Sequence, residues 1–158
     1  MKLYLLRHGL AGDRTEWKGD DSARPLTLGG FAKMKRTAAT FAKLELDLDW
    51  ILTSPLIRAY QTAEIVAKRF KMLDKLVKDE RLGSDFEVKF LAEILDEYSH
   101  ADALMLVGHE PGMGAAVTHL TGARVVFKKG TLAFVELSDA KFMKGELVWL
   151  IPPKVLAL

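Results

Sequence analysis

The chain opens Lys2-Leu3-Tyr4-Leu5-Leu6-Arg7-His8-Gly9. Leu3 to Leu6 form a short apolar run, the pattern of a buried strand. The run ends abruptly at an arginine and a histidine. The same pattern recurs twice. Trp50-Ile51-Leu52-Thr53 gives way to Ser54-Pro55, and Ala103 to Val107 gives way to Gly108-His109-Glu110-Pro111-Gly112. Each time, an apolar strand candidate ends in residues suited to a turn or a helix start.

Helical patterns lie between these strands. Thr27 is a candidate cap, and Phe31, Met34, Ala38 and Phe41 then recur at helical spacing. Ser54 suits an N-cap and Pro55 the first helical position, with Ala59, Ala63, Val66 and Phe70 as the buried stripe. A weaker strand is expected at Leu76 to Lys78. Phe86 to Tyr98 reads as a helix with Phe90, Ile94 and Leu95 inward. Another helix is expected from Gly112 to about Leu120. Two strands, Leu132 to Leu137 and Glu146 to Ile151, close the chain, with Gly145 in the turn between them. The alternation predicts an α/β fold, a three-layer α/β/α sandwich with a mainly parallel central sheet and an antiparallel edge. No repeat or linker divides the sequence, so residues 1–158 are expected to form one domain.

Composition removes several classes of function. Apolar residues make up 49% and charged residues 28%, ordinary for a globular chain. A net charge of +2 gives no sign of a nucleic-acid binder. The absence of cysteine excludes disulfides, thiolate metal sites and a cysteine nucleophile. The apolar start is too short for a secretory signal, and no run approaches the roughly 20 residues that span a bilayer. A cytoplasmic location without membrane attachment is the expectation. No HExxH or similar spacing appears, and Arg7 would repel a cation beside His8, so neither metal nor cofactor is expected.

In open α/β sheets, ligands bind at the carboxyl ends of the strands. Three such ends carry Arg7 and His8, then Ser54 with Arg58 one turn further, then His109. Arg58 opposes the preference of helix N-termini for negative groups, which suggests an anion beside it. Two guanidinium groups and helix-start N–H groups suit a phosphate. The polar stretch Asp13 to Arg24 reads as a long surface loop of the kind that often serves function. His100 and His119 lack such context and read as surface and helix residues.

These residues resemble a known family. Leu6-Arg7-His8-Gly9 resembles the RHG signature of the histidine phosphatase superfamily. Asp21-Ser22-Ala23-Arg24-Pro25-Leu26-Thr27, with Gly30, resembles a segment of its SixA-type branch. Thr53 to Ala59 with Gln61-Thr62-Ala63, and Val107 to Gly112, resemble two further motifs. The resemblance implies that His8 attacks phosphorus and carries a phosphohistidine. It implies that Arg7, Arg58 and His109 bind the phosphoryl oxygens, with Gly9, Ser54 and Arg24 as further substrate-binding candidates. A backbone carbonyl, that of Gly9 or a nearby residue, is expected to fix the tautomer of His8. Relatives that cleave esters use a carboxylic acid after the third strand. Glu80 is the candidate here, with Asp79 and Asp85 beside it, although SixA-type proteins lack an obvious equivalent.

Three readings follow. One is a protein phosphohistidine phosphatase acting in signal transduction on a histidine-containing phosphotransfer domain or phosphocarrier. Another is a phosphomonoesterase for a small phosphorylated metabolite, a phosphosugar or nucleotide, held by Arg14, Lys18 and Arg24. The third is a phosphate-binding module without catalysis.

Overall fold

The computed structural model describes residues 1–156; the expected domain of 1–158 runs two positions beyond them. The elements are β1 (Lys2–Arg7), α1 (Leu28–Lys43), β2 (Trp50–Thr53), α2 (Ile57–Phe70), β3 (Leu76–Lys78), α3 (Val88–Glu97), β4 (Ala103–Gly108), α4 (Gly112–Thr121), β5 (Leu132–Asp139), β6 (Lys144–Ile151) and α5 (Pro153–Leu156). The six strands form one sheet in the order β3-β2-β4-β1-β5-β6. The first four run parallel, while β5 pairs antiparallel with β1 and β6 antiparallel with β5.

The alternation of side chains along a strand divides β1 between two cores. Leu3 and Leu5 pack with Leu91, Ile94 and Val117, on the α3 and α4 side. Tyr4 and Leu6 pack with Met34, Phe41 and Val66, on the α1 and α2 side. A sheet covered on both faces needs apolar residues at every position, which explains the unbroken runs. This is the expected three-layer arrangement. It places β4 between β1 and β2, with Arg7 opposite Gly108 and Thr53 opposite Val107. The three polar strand ends therefore lie side by side on one rim.

Local detail departs from expectation at several points. Thr27 caps α1, its Oγ1 accepting from Gly30 N–H at 2.9 Å. Ser54 does not cap α2, which begins at Ile57 behind Leu56. The Ser54 hydroxyl instead accepts from Leu56 N–H at 3.2 Å and meets His109 at 2.7 Å. Helix α3 starts at Val88, and it buries Leu91 rather than Phe90, because the stripe that includes Ile94 and Leu95 faces the sheet. Gly145 lies within β6, opposite Leu137, and not in the turn. A Cβ there would stand 2.7 Å from the Glu136 carbonyl oxygen, so close strand contact explains the glycine.

Candidate active site

A cavity of about 290 Å³ opens on the rim above β1, β4 and β2. The end of β1 contributes Arg7 and His8, the end of β4 contributes His109 and Glu110, and the first turn of α2 contributes Arg58. The β1–α1 loop adds Arg14, Asp21 and Arg24. Ser84 and Lys129 complete the wall. Eight of these ten were singled out from sequence or lie in a motif quoted there, Asp21 and Glu110 without an assigned role; Ser84 and Lys129 were not among them.

His8 is buried, with 4% of its surface exposed. Its Nδ1 lies 2.7 Å from the Gly9 carbonyl oxygen. A carbonyl only accepts, so Nδ1 carries the hydrogen and Nε2 keeps its lone pair. The backbone around it is tied down from three sides. His8 N–H donates to the Gly108 carbonyl at 3.0 Å. Gly9 N–H donates to Thr62 Oγ1 at 3.0 Å, and Thr62 Oγ1 donates to the Arg58 carbonyl at 2.7 Å. Gly130 N–H reaches the carbonyls of both Arg7 and His8, at 3.1 and 2.9 Å.

His109 lies with its ring centroid 5.1 Å from that of His8. Ser54 Oγ accepts from Leu56 N–H and so can donate its own hydrogen to His109 Nε2, which places a hydrogen on Nδ1. Nδ1 is buried and has no hydrogen-bond partner within the protein. The same is true of Nε in Arg7 and in Arg58. All three belong to residues that line the cavity, and donors left without a protein acceptor there suit an anion. Burial pushes the pKa of His8 down to about 3, and the charges of His109, Arg58 and Arg7 add to this. Burial likewise lowers that of His109 to about 4, with Arg58 and Arg7 next in weight. Both imidazoles are neutral at pH 7.

The arginines are held by other groups through their remaining nitrogens. Arg7 Nη1 donates to the Phe127 carbonyl at 2.7 Å. Arg58 Nη1 and Nη2 donate to the Asp21 carbonyl and carboxylate at 2.8 and 3.0 Å. Part of the anion expected beside Arg58 is therefore Asp21. Arg24 Nε donates to the other Asp21 oxygen at 3.0 Å, and Arg24 Nη1 donates to the Gly12 carbonyl at 2.5 Å. Burial raises the carboxyl pKa of Asp21, but hydrogen bonds from Arg24 and the Arg58 charge outweigh it and leave the group below its ordinary value.

The acidic segment after β3 stands elsewhere. Glu80 is exposed and does not line the cavity, so it is not placed as the acid expected there. It lies in a short 3-10 turn, Glu80–Leu82, whose buried residue is Leu82. Asp79 is engaged by Arg81 at 2.6 Å, and Asp85 is exposed outside the cavity. Gly9 likewise contributes its backbone beneath the site rather than part of the wall, and Ser54 acts on His109. Lys18 is exposed and does not line the cavity. Thr62 and Gly130 brace the histidine loop. Thr62 stood in a quoted motif without a role. Gly130 carried no signal beyond being a glycine before a strand.

A neutral, oriented imidazole among two guanidinium groups and a second imidazole has the chemistry to receive a phosphoryl group. Residues 3–85 match the family model of the histidine phosphatase superfamily, branch 1. The chain belongs to the histidine phosphatase superfamily. It is 36% identical to an uncharacterised protein of Picosynechococcus over 98% of both chains. It is 24% identical to the phosphohistidine phosphatase SixA of Escherichia coli, across 97% of this chain and 94% of that one. The fold matches that of the protein histidine phosphatase SixA complexed with tungstate, with a TM-score of 0.88, 24% identity and 99% of each chain covered. The chain is thus a phosphatase of SixA-type fold. Among the described residues, no helix of this phosphatase is long and apolar enough to cross a membrane.

Proposed function

We propose that this phosphatase removes the phosphoryl group from phosphohistidine side chains of another protein, by way of a phosphohistidine on its own His8. The Nε2 lone pair attacks phosphorus. The P–N bond of the substrate breaks, and the departing imidazole takes a proton from solvent water at the open cavity. His8 keeps its Nδ1 hydrogen on the Gly9 carbonyl, which stabilises the positive charge that the ring acquires. Arg7, Arg58 and the Nδ1–H of His109 hold the phosphoryl oxygens and offset charge in the transition state. Water then attacks the same phosphorus, the P–Nε2 bond breaks, and phosphate and neutral His8 are regenerated.

The state of the carboxylates carries the choice of substrate. Of the two in the cavity, Asp21 is held between arginines, and Glu110 Oε1 accepts from Gly114 N–H at 2.6 Å in the first turn of α4. Asp21 does not stand free as an acid for an alkoxide leaving group, and Glu110 has one oxygen committed to the start of α4. The P–N bond of a phosphohistidine breaks with less assistance than an ester P–O bond, and a histidine-containing phosphotransfer domain or a phosphocarrier presents such a bond on its surface. The test compares phosphate release from a phosphohistidine carrier protein and from p-nitrophenyl phosphate. The expected kcat/KM is at least about 100-fold higher for the carrier, with Glu80→Gln having no effect on either. Faster ester hydrolysis would favour a small phosphorylated metabolite instead.

A further inference from the structure

One cation that lines the cavity, Lys129, has no ion-pair partner among the described residues and no role in the mechanism proposed above. Lys129 is the second residue of a tight turn closed by Thr131 N–H on the Lys128 carbonyl, at 2.8 Å. Gly130, the third residue, has φ +80°, in the left-handed region where glycine is unstrained. The Gly130 N–H is bonded to the carbonyls of Arg7 and His8, so the turn is fastened to the backbone of the nucleophile. This fixes where Lys129 starts, beside the cavity it lines.

Among the described residues, the Lys129 ammonium has no ion-pair partner. Partial burial lowers its pKa, as do the charges of Arg7, Arg24 and Arg58. Asp13 acts the other way without reaching ion-pair distance, so the cation is held against repulsion that is offset only in part. Arg14 is similar: its side chain is 81% exposed, and its one ion-pair contact is 3.9 Å from Asp21. Five cations line the cavity (Arg7, Arg14, Arg24, Arg58 and Lys129) against two carboxylates, Asp21 and Glu110. Five less two leaves three. A dianionic phosphoryl group answers two of these, and the remaining charge lies at the rim.

We propose that Lys129 and Arg14 form a subsite for a carboxylate adjoining the phosphorylated side chain, so that the enzyme selects phosphohistidines flanked by Asp or Glu. One leftover positive charge matches one carboxylate, and an exposed ammonium on a flexible stem suits a partner whose position varies between substrates. The proposal rests on the phosphohistidine reading, and its test separates the two.

The first arm measures inhibition of p-nitrophenyl phosphate hydrolysis by 3-phosphonopropionate, which carries a carboxylate, and by propylphosphonate, which does not. The expected preference of wild type for the carboxylate is about tenfold. Lys129→Gln should bring the ratio of inhibition constants close to one, and Lys129→Arg should restore it. Equal constants in wild type, or a ratio that Lys129→Gln leaves intact, would overturn the subsite. The second arm compares phosphohistidine peptides with acidic and neutral flanks. A preference for the acidic peptide that appears in KM and is lost in Lys129→Gln supports the proposal. Equal KM values for the two peptides would overturn the stated selectivity. Hydrolysis of neither peptide, with the inhibitor ratio as expected, would overturn the phosphohistidine reading while supporting an anion subsite.

Discussion

The Asp21 carboxylate accepts from Arg58 Nη2 at 3.0 Å, and the Asp21 carbonyl accepts from Nη1 of the same guanidinium at 2.8 Å. The loop between β1 and α1 is thereby fastened to the first turn of α2. The arginine that fastens it is one of those facing the cavity. In the proposed mechanism, loop position and anion binding are thus coupled through one side chain.

Asp21→Ala should therefore lower kcat/KM by about tenfold, because Arg58 would keep the backbone carbonyl but lose the carboxylate half of the two-point hold that orients it. The Asp21 side chain is 33% exposed, so the stability loss should be modest, about 1 to 2 kcal/mol. Steady-state kinetics and urea unfolding check the two halves separately. Unchanged kcat/KM would mean that Arg58 is oriented without Asp21.

Thr62 joins the histidine loop to α2, accepting from Gly9 N–H and donating to the Arg58 carbonyl. Thr62→Val keeps the shape and leaves the Gly9 N–H without an acceptor. The expected cost is about 1 to 3 kcal/mol. The expected fall in kcat is about tenfold, since the Gly9 carbonyl that sets the His8 tautomer belongs to the same loop. A stable and fully active Thr62→Val would contradict this bracing role.

Gly30 brings α1 close to the loop that follows His8. A Cβ at this position would stand 2.0 Å from the Leu10 carbonyl oxygen. Backbone, not a flexible side chain, occupies that space, so Gly30→Ala must push the loop away. The expected destabilisation is about 2 to 3 kcal/mol by urea unfolding. A neutral substitution would show that the helix can shift freely.

The two buried histidines make stability depend on pH. Their folded pKa values, about 3 for His8 and about 4 for His109, lie below the ordinary 6.5 of an unfolded chain. Below pH 6.5 the unfolded state binds protons that the folded state refuses. Stability should therefore be full above about pH 6.5 and fall as the pH drops toward 4. The depressed Asp21 and Asp79 groups add their loss only lower, from near their ordinary value of 3.8 downward. Urea unfolding at pH 7, 6, 5 and 4 measures the slope, which should be shallower in His8→Asn. A flat profile across that range would mean that the imidazoles are not buried as neutral groups.

Much of this site was legible because its strands are short and covered on both faces. Apolar runs at Leu3, Trp50 and Ala103 located the sheet, and the residues just past each run located its rim. The register that makes β4 the neighbour of both β1 and β2 was not legible, because it depends on pairing between distant segments. The start of α2 was misread, since Ser54-Pro55 has the chemistry of a cap while the Ser54 hydroxyl is used by His109. The acid expected at Glu80 was likewise misplaced: proximity to β3 in sequence did not bring that side chain to the cavity. Lys129 was missed because its position comes from a turn held by the carbonyls of Arg7 and His8, and backbone hydrogen bonds across more than a hundred residues leave no local signal.

In the proposed mechanism His8 carries the phosphoryl group. The most direct test mixes the enzyme rapidly with a carrier protein labelled at the phosphoryl group and quenches in alkali, where phosphohistidine survives. Peptide mapping then locates the label. Transient label is expected on the peptide containing His8 and none in His8→Ala, which should remain folded. Label on another residue, or turnover by His8→Ala, would contradict it.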